Sequence, residues 1–134
     1  MELIDELVAE RDIRNLVASY AQLADDDSVV EWSELFAEDG VLDVGNAKPV
    51  GREALRDWLA TVQRDRPMRH LVSNVAITVD SPTTASGQMD LLLLAGKDGR
   101  WIVSATMRYA DRYRLVDGSW LFAERVLTPR MPPR

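Results

Sequence analysis

The chain has 134 residues, 46% apolar and 28% charged, which suits one globular domain with enough length to bury a core. It holds no cysteine and one histidine, which excludes disulfides, thiol catalysis and multi-histidine zinc sites within one chain. A net charge of −6 argues against nucleic acid and anionic membranes as partners. The acidic start lacks a signal pattern and the longest apolar run, Leu91 to Ala95, is too short to span a bilayer, so a cytoplasmic protein is expected.

Taken in chain order, Ile13, Leu16, Val17, Tyr20 and Leu23 recur at helical spacing after Ile4, Leu7 and Val8, which predicts a long first helix. Asp25, Asp26 and Asp27 then repel one another and favour a break. Ser28 and Glu31 have capping-box spacing, so a second helix is expected from about Val29. Trp32, Leu35 and Phe36 would form its apolar side and Gly40 would end it. Val41 to Val44 reads as a short strand, followed by a loop with Gly45, Asn46 and Pro49. Arg52 to Val62 reads as a third helix with Leu55, Trp58, Leu59 and Val62 on one face.

Four strands are expected next: His70 to Val79, Thr83 to Ala95, Trp101 to Val116 and Ser119 to Leu127. Gly96 to Gly99 and Asp117-Gly118 supply the later turns. Residues 1–128 then form a single α+β domain whose helices cover one face of a curved antiparallel sheet. The proline-rich residues 129–134 form an irregular tail.

The strand from Trp101 to Val116 alternates. Trp101, Val103, Ala105, Met107, Tyr109, Asp111, Tyr113 and Leu115 share one largely apolar face, and Arg108, Arg112 and Arg114 lie on the other. Asp111 on an apolar wall is either a proton donor or the partner of an arginine such as Arg108 or Arg125. His70 shares a face with Val72 and Asn74 and could move protons near neutral pH. Tyr20 lies on the apolar face of the first helix, so its hydroxyl needs water or a partner. Asp43 shares a face with Val41 and could be a pocket carboxylate or a loop anchor. No GxGxxG or Walker loop is present, so no nucleotide cofactor is expected.

An ordered set of segments resembles the SnoaL-like family of the nuclear-transport-factor-like superfamily. Its carriers are Ile13 to Val17 with Tyr20, the acidic break, Trp32 to Gly40, Gly51 to Leu55, Arg69-His70 to Asn74, Tyr109 to Tyr113, and Asp117 to Trp120. The resemblance implies three N-terminal helices on a strongly curved mixed sheet, closed into a cone with an internal pocket. It also implies cofactor-free and metal-free acid–base chemistry on a small, mostly apolar ring substrate: dehydration, isomerisation or cyclisation.

Similarity to scytalone and bile-acid dehydratases implies His70 and an aspartate of the break, Asp25 or Asp27, as a proton-transfer pair. Tyr20 would polarise a carbonyl, Asp111 would help to orient, and Asp43, Asn74, Trp32, Met107 and Tyr109 would contact substrate. Where those dehydratases carry a further polar residue, the stretch from Gln88 to Ala95 is leucine-rich here. Similarity to ketosteroid isomerases implies instead a base at Asp43, with Tyr20 and Asp111 as the oxyanion pair. Similarity to the small subunits of ring-hydroxylating dioxygenases implies a binding module without chemistry. In each case pairing through the outer face of the sheet, as a homodimer, is the expected assembly.

Overall fold

The computed structural model describes residues 1–62 and 66–134. In chain order the elements are α1 (Leu3–Asp25), α2 (Val29–Ser33), β1 (Phe36–Asp43), α3 (Arg52–Val62), β2 (Met68–Val79), β3 (Thr84–Lys97), β4 (Arg100–Val116) and β5 (Ser119–Pro129). The fold is α+β with one mixed sheet, ordered β1-β5-β4-β3-β2. β2 to β5 form an antiparallel meander, while β1 runs parallel to β5. That parallel edge makes the sheet mixed, as the family resemblance implies, where the strand pattern alone suggests an antiparallel one. A strand also separates the second and third helices.

α1 buries Ile13, Leu16, Val17, Tyr20, Ala21 and Ala24 at the spacing of one helical face. Its first two turns differ from that pattern: Leu3, Ile4, Leu7 and Val8 are exposed. α2 is a single short helix that ends at Ser33, well before Gly40. Ser28 occupies its N-cap position but makes no side-chain capping bond. The reason the helix stops is tertiary. The Phe122 N–H donates to the Leu35 carbonyl at 2.9 Å, and Phe36 pairs with Phe122 across β1 and β5. Sheet pairing and burial of Phe36 and Ala37 outweigh local helix spacing there.

Two bulges re-aim side chains. In β4, Ala105 faces Leu93 and Val103 faces Leu94, so Ser104 is the extra residue. Trp101 and Val103 therefore do not share the face of Met107 and Tyr109, as strict alternation predicts; both are exposed. In β2 the register shifts between Ser73 and Ala76, and Asn74 has a φ of 55°. Burial follows His70 and Val72 before the bulge and Val75, Ile77 and Val79 after it.

The core joins α1 and α2 to the sheet through aromatic side chains. Tyr20 packs on Trp32, Phe36, Tyr109 and Phe122 at ring-centroid distances of 5.4, 6.1, 5.8 and 5.5 Å. Such tilted and edge-on pairs add about 0.5–1.5 kcal/mol each beyond their buried area. Gly40 closes the packing at the β1 irregularity. A Cβ there would lie 2.8 Å from Phe36 Cβ and 2.9 Å from the Ala37 carbonyl oxygen. Both neighbours belong to a rigid strand, so Gly40→Ala should destabilise the protein by about 1–3 kcal/mol, read from its urea-denaturation midpoint.

Candidate active site

Asp25 is the last residue of α1, followed by Asp26 and by Asp27 at a φ of 56°. A carboxylate at a helix C-terminus faces the negative end of the helix dipole, and α1 has no basic residue in its last turn. Compensation comes from β2. The His70 backbone N–H donates to Asp25 Oδ1 and Oδ2 at 3.0 and 3.1 Å, and His70 Nδ1 lies 2.6 Å from Asp25 Oδ1. Arg69 adds a longer contact, Nε to Oδ2 at 3.8 Å. Of the three aspartates, Asp25 is the one paired with the histidine.

This pairing fixes the roles of the imidazole nitrogens. A carboxylate can only accept, so neutral His70 carries its proton on Nδ1, and Nε2 holds the lone pair. No hydrogen bond occupies Nε2 among the described residues. His70 lines a cavity of about 300 Å³ that Tyr20, Tyr109 and Met107 line as well. That volume lies at the small end of ligand pockets, which span about 300–1,000 Å³. Most of the wall is apolar: Leu91 and Leu93 from β3, Leu127 from β5, and Trp58 and Leu59 from α3. The leucine-rich stretch of β3 thus faces the cavity through alternate residues.

Tyr20 is 3% exposed and stands edge-on to His70, with ring centroids 6.4 Å apart. Burial pushes its hydroxyl above the ordinary 10.0, opposed by the Arg125 cation and by a hydrogen bond from Tyr109, with Asp111 adding a further upward push. Burial, and next the neighbouring Tyr20, push Tyr109 well above the same value against the pull of Arg125. Burial and then Asp111 raise Tyr113 too.

All 3 tyrosines of the chain are therefore held protonated by the fold. Above about pH 10 the unfolded chain releases tyrosine protons that the native chain retains, so this contribution is complete below that pH and declines as the pH rises. An alkaline titration should show no tyrosinate absorbance before the circular dichroism of the fold is lost. Tyrosinate appearing near pH 10 with the fold intact would contradict it.

Asp111 lies outside the cavity wall. It is buried and accepts from Arg125 Nε at 2.9 Å, from Arg125 Nη2 at 3.2 Å and from the Tyr113 hydroxyl at 2.6 Å. Arg125, directly opposite on β5, is the partner, while Arg108 pairs with Asp90 on β3 at 2.8 Å. Burial opposes the Arg125 charge, yet Asp111 and the tyrosine hydroxyls outweigh that and raise its pKa. Its guanidinium lies 3.5 Å from the Tyr109 ring centroid and 4.2 Å from that of Tyr20. The pair therefore backs the two tyrosines from behind.

The remaining expected contacts divide. Met107 and Tyr109 line the cavity. Trp32 does not; it is fully buried behind Tyr20, and its ring stacks on Trp58 at 6.3 Å. Asn74 sits in the β2 bulge and donates to Asp90 Oδ2 at 2.8 Å, since the bulge turns it away from the face of His70. Asp43 anchors the loop after β1 by accepting from the Gly45 N–H at 3.0 Å. The base and the acid of the isomerase mapping are thus not brought to the cavity that Tyr20 lines. Asn46, Trp58 and Leu127 line it without having been singled out as a site. Trp58 had a signal, as an aromatic on the apolar face of α3; Asn46, in an irregular loop, had none. Among the described residues, no cluster of three His, Asp or Glu side chains could hold a metal ion.

The α+β fold with a mixed five-stranded sheet is similar to the cystatin-like fold of solved NTF2-like proteins. One such protein from Novosphingobium aromaticivorans superimposes with a TM-score of 0.86 at 23% identity over 95% of this chain and 85% of its own. Residues 5–126 match the SnoaL-like domain, and the chain belongs to that family. A proposed scytalone dehydratase from the same organism is similar at 26% identity and a TM-score of 0.85, over 97% of this chain and 89% of its own. A protein of unknown function from Mycobacterium tuberculosis reaches 0.90 at 26% identity, over 98% and 78%. No curated protein matches the chain. Among the described residues, no helix is long and apolar enough to cross a membrane.

Proposed function

We propose that the protein is a cofactor-independent acid–base enzyme, of the dehydratase, isomerase or cyclase type, acting on a small ring ketone. The substrate would be held in the internal pocket of a cone-shaped domain. The observation that carries this reading is the 2.6 Å contact between His70 Nδ1 and Asp25 at the wall of a largely apolar cavity that Tyr20 also lines. Similarity to a proposed scytalone dehydratase supports it.

In this mechanism His70 Nε2 removes a proton from the carbon beside the substrate carbonyl, and Asp25 stabilises the imidazolium that results. The electron pair moves onto the carbonyl oxygen, which accepts a hydrogen bond from the Tyr20 hydroxyl. For dehydration, the enolate re-forms its carbonyl as the β carbon–oxygen bond breaks. The leaving hydroxyl takes the proton from Nε2 and departs as water, and the imidazole returns to neutral. For isomerisation, the same proton returns at a different carbon.

Both routes begin with exchange of a carbon-bound proton, which can be followed without knowing the natural substrate. In D2O, the protein should catalyse deuterium entry at C2 of two-ring ketones such as 1-tetralone, detected by proton NMR. No exchange above the buffer rate across one- and two-ring ketones would contradict the proposal.

A further inference from the structure

The buried Asp111–Arg125 pair has a direction. Asp111 takes the Nε and Nη2 side of the guanidinium, at 2.9 and 3.2 Å, and is itself held by the Tyr113 hydroxyl at 2.6 Å. The guanidinium carbon lies over the Tyr109 and Tyr20 rings, 3.5 and 4.2 Å from their centroids. At the Tyr20 hydroxyl the Arg125 charge acts more strongly than that of Asp111 and in the opposite sense, and the same order holds at Tyr109. The positive member of the pair is thus the one the tyrosines feel. Both tyrosines line the cavity, whereas among the described residues no lysine or arginine does. A negative charge formed inside touches no cation, and across a buried side chain a cation acts far more strongly than it does through water. Stability alone gives little reason for such a pair, since well-packed apolar residues often serve as well.

Resting on the acid–base reading above, we propose that Arg125, held by Asp111, is a positioning residue that stabilises the enolate through Tyr20 and Tyr109 without touching it. As charge develops on the carbonyl oxygen, the Tyr20 O–H shares it, and the tyrosine oxygen itself gains negative character. The cation behind the rings favours that redistribution. Because Asp111 and Tyr113 fix the pair before reaction, no reorganisation is needed when the charge forms. The ketone is uncharged in its ground state, so the pair should act on the rate at saturation and little on affinity. Asp111 then orients without donating a proton.

Two variants change the charge in opposite directions. Asp111→Asn with Arg125→Met removes both charges and strands neither, while Asp111→Asn alone leaves the cation uncompensated. The probe is 4-nitrophenol, displaced from the cavity by 1-tetralone. Its phenolate resembles an enolate and absorbs apart from the phenol. His70 is common to all three proteins, so its own effect on the probe cancels. Relative to the wild type, the double variant should disfavour bound phenolate by about tenfold, and Asp111→Asn should favour it by about tenfold, as one buried charge acting across a side chain implies. Deuterium exchange at saturating 1-tetralone should fall by about tenfold in the double variant, with the affinity for the ketone nearly unchanged. A merely structural role would weaken ketone binding and exchange together and move both variants the same way. Because the expected shifts are opposite, either folded variant decides. An unmoved or reversed ionisation overturns the proposal, as does failure of 4-nitrophenol to bind. Exchange by the wild type separates the two readings. Opposite shifts without exchange keep the pair acting on an anion-binding cavity and remove the enzyme. Exchange with an unmoved ionisation keeps the enzyme and removes the role of the pair.

Discussion

Replacing His70 with alanine should lower the rate of C2 deuterium exchange by about 10²–10⁴-fold, the usual worth of a positioned general base. The expectation is sharp because the chain has 1 histidine and no cysteine, so no second group of similar basicity stands ready to substitute. The fold should survive, since His70 lies at the cavity wall rather than among the fully buried side chains. Asp25→Asn should be severe as well, by about 10²-fold. The imidazole would lose both its orientation and the charge that stabilises its protonated form. Because Asp25 also accepts from the His70 backbone N–H, its loss should loosen the junction of α1 with β2. Hydrogen exchange at the His70 amide would register that change separately from the rate. Full activity in His70→Ala with an intact fold would remove the dyad from the mechanism.

The largest effect on stability is expected at the other carboxylate. Both side chains of the Asp111–Arg125 pair are 0% exposed. Asp111→Asn keeps the shape but leaves the Arg125 cation uncompensated in the core, beside an Nη1 that already lacks a hydrogen-bond partner. Breaking one side of such a pair costs about 3–5 kcal/mol. Replacing both members, as Asp111→Asn with Arg125→Met, removes the stranded charge and should recover much of that loss. Urea denaturation of the single and double variants checks this. A double variant as unstable as the sum of its single changes would mean that the two side chains are not coupled. The pair also stacks behind Tyr20 and Tyr109, so the single variant should alter the alkaline behaviour of those tyrosines.

Much of this architecture is legible from local chemistry. The limits of α3 follow from its amphipathic spacing, and the β4–β5 turn follows from Asp117-Gly118, both at positive φ in the structure. What was not legible depends on distant partners. Phe36 fits a helix by spacing and becomes a strand residue because Phe122 lies beside it. The extra residue at Ser104 reverses the faces of Trp101 and Val103, and the bulge at Asn74 does the same in β2, since one inserted residue inverts a period of two.

The site divides along the same line. Tyr20, His70, Met107 and Tyr109 sit on regular elements, and their faces could be read. Sequence order could not choose among Asp25, Asp26 and Asp27, because a helix end turns through a large angle over those residues. Nor could it choose Arg125 over Arg108 for Asp111, since that depends on strand register. Asn46 belongs to a loop, where periodicity carries no information.

The most direct test of the central claim is the ¹⁵N spectrum of the single imidazole in its neutral form, which needs no assignment. The account predicts a proton on Nδ1 and a bare Nε2, with the Nδ1 proton lost or redistributed in Asp25→Ala. A neutral ring protonated on Nε2, unchanged by Asp25→Ala, would show that Asp25 does not set the tautomer and that the atom assigned as the base is not basic.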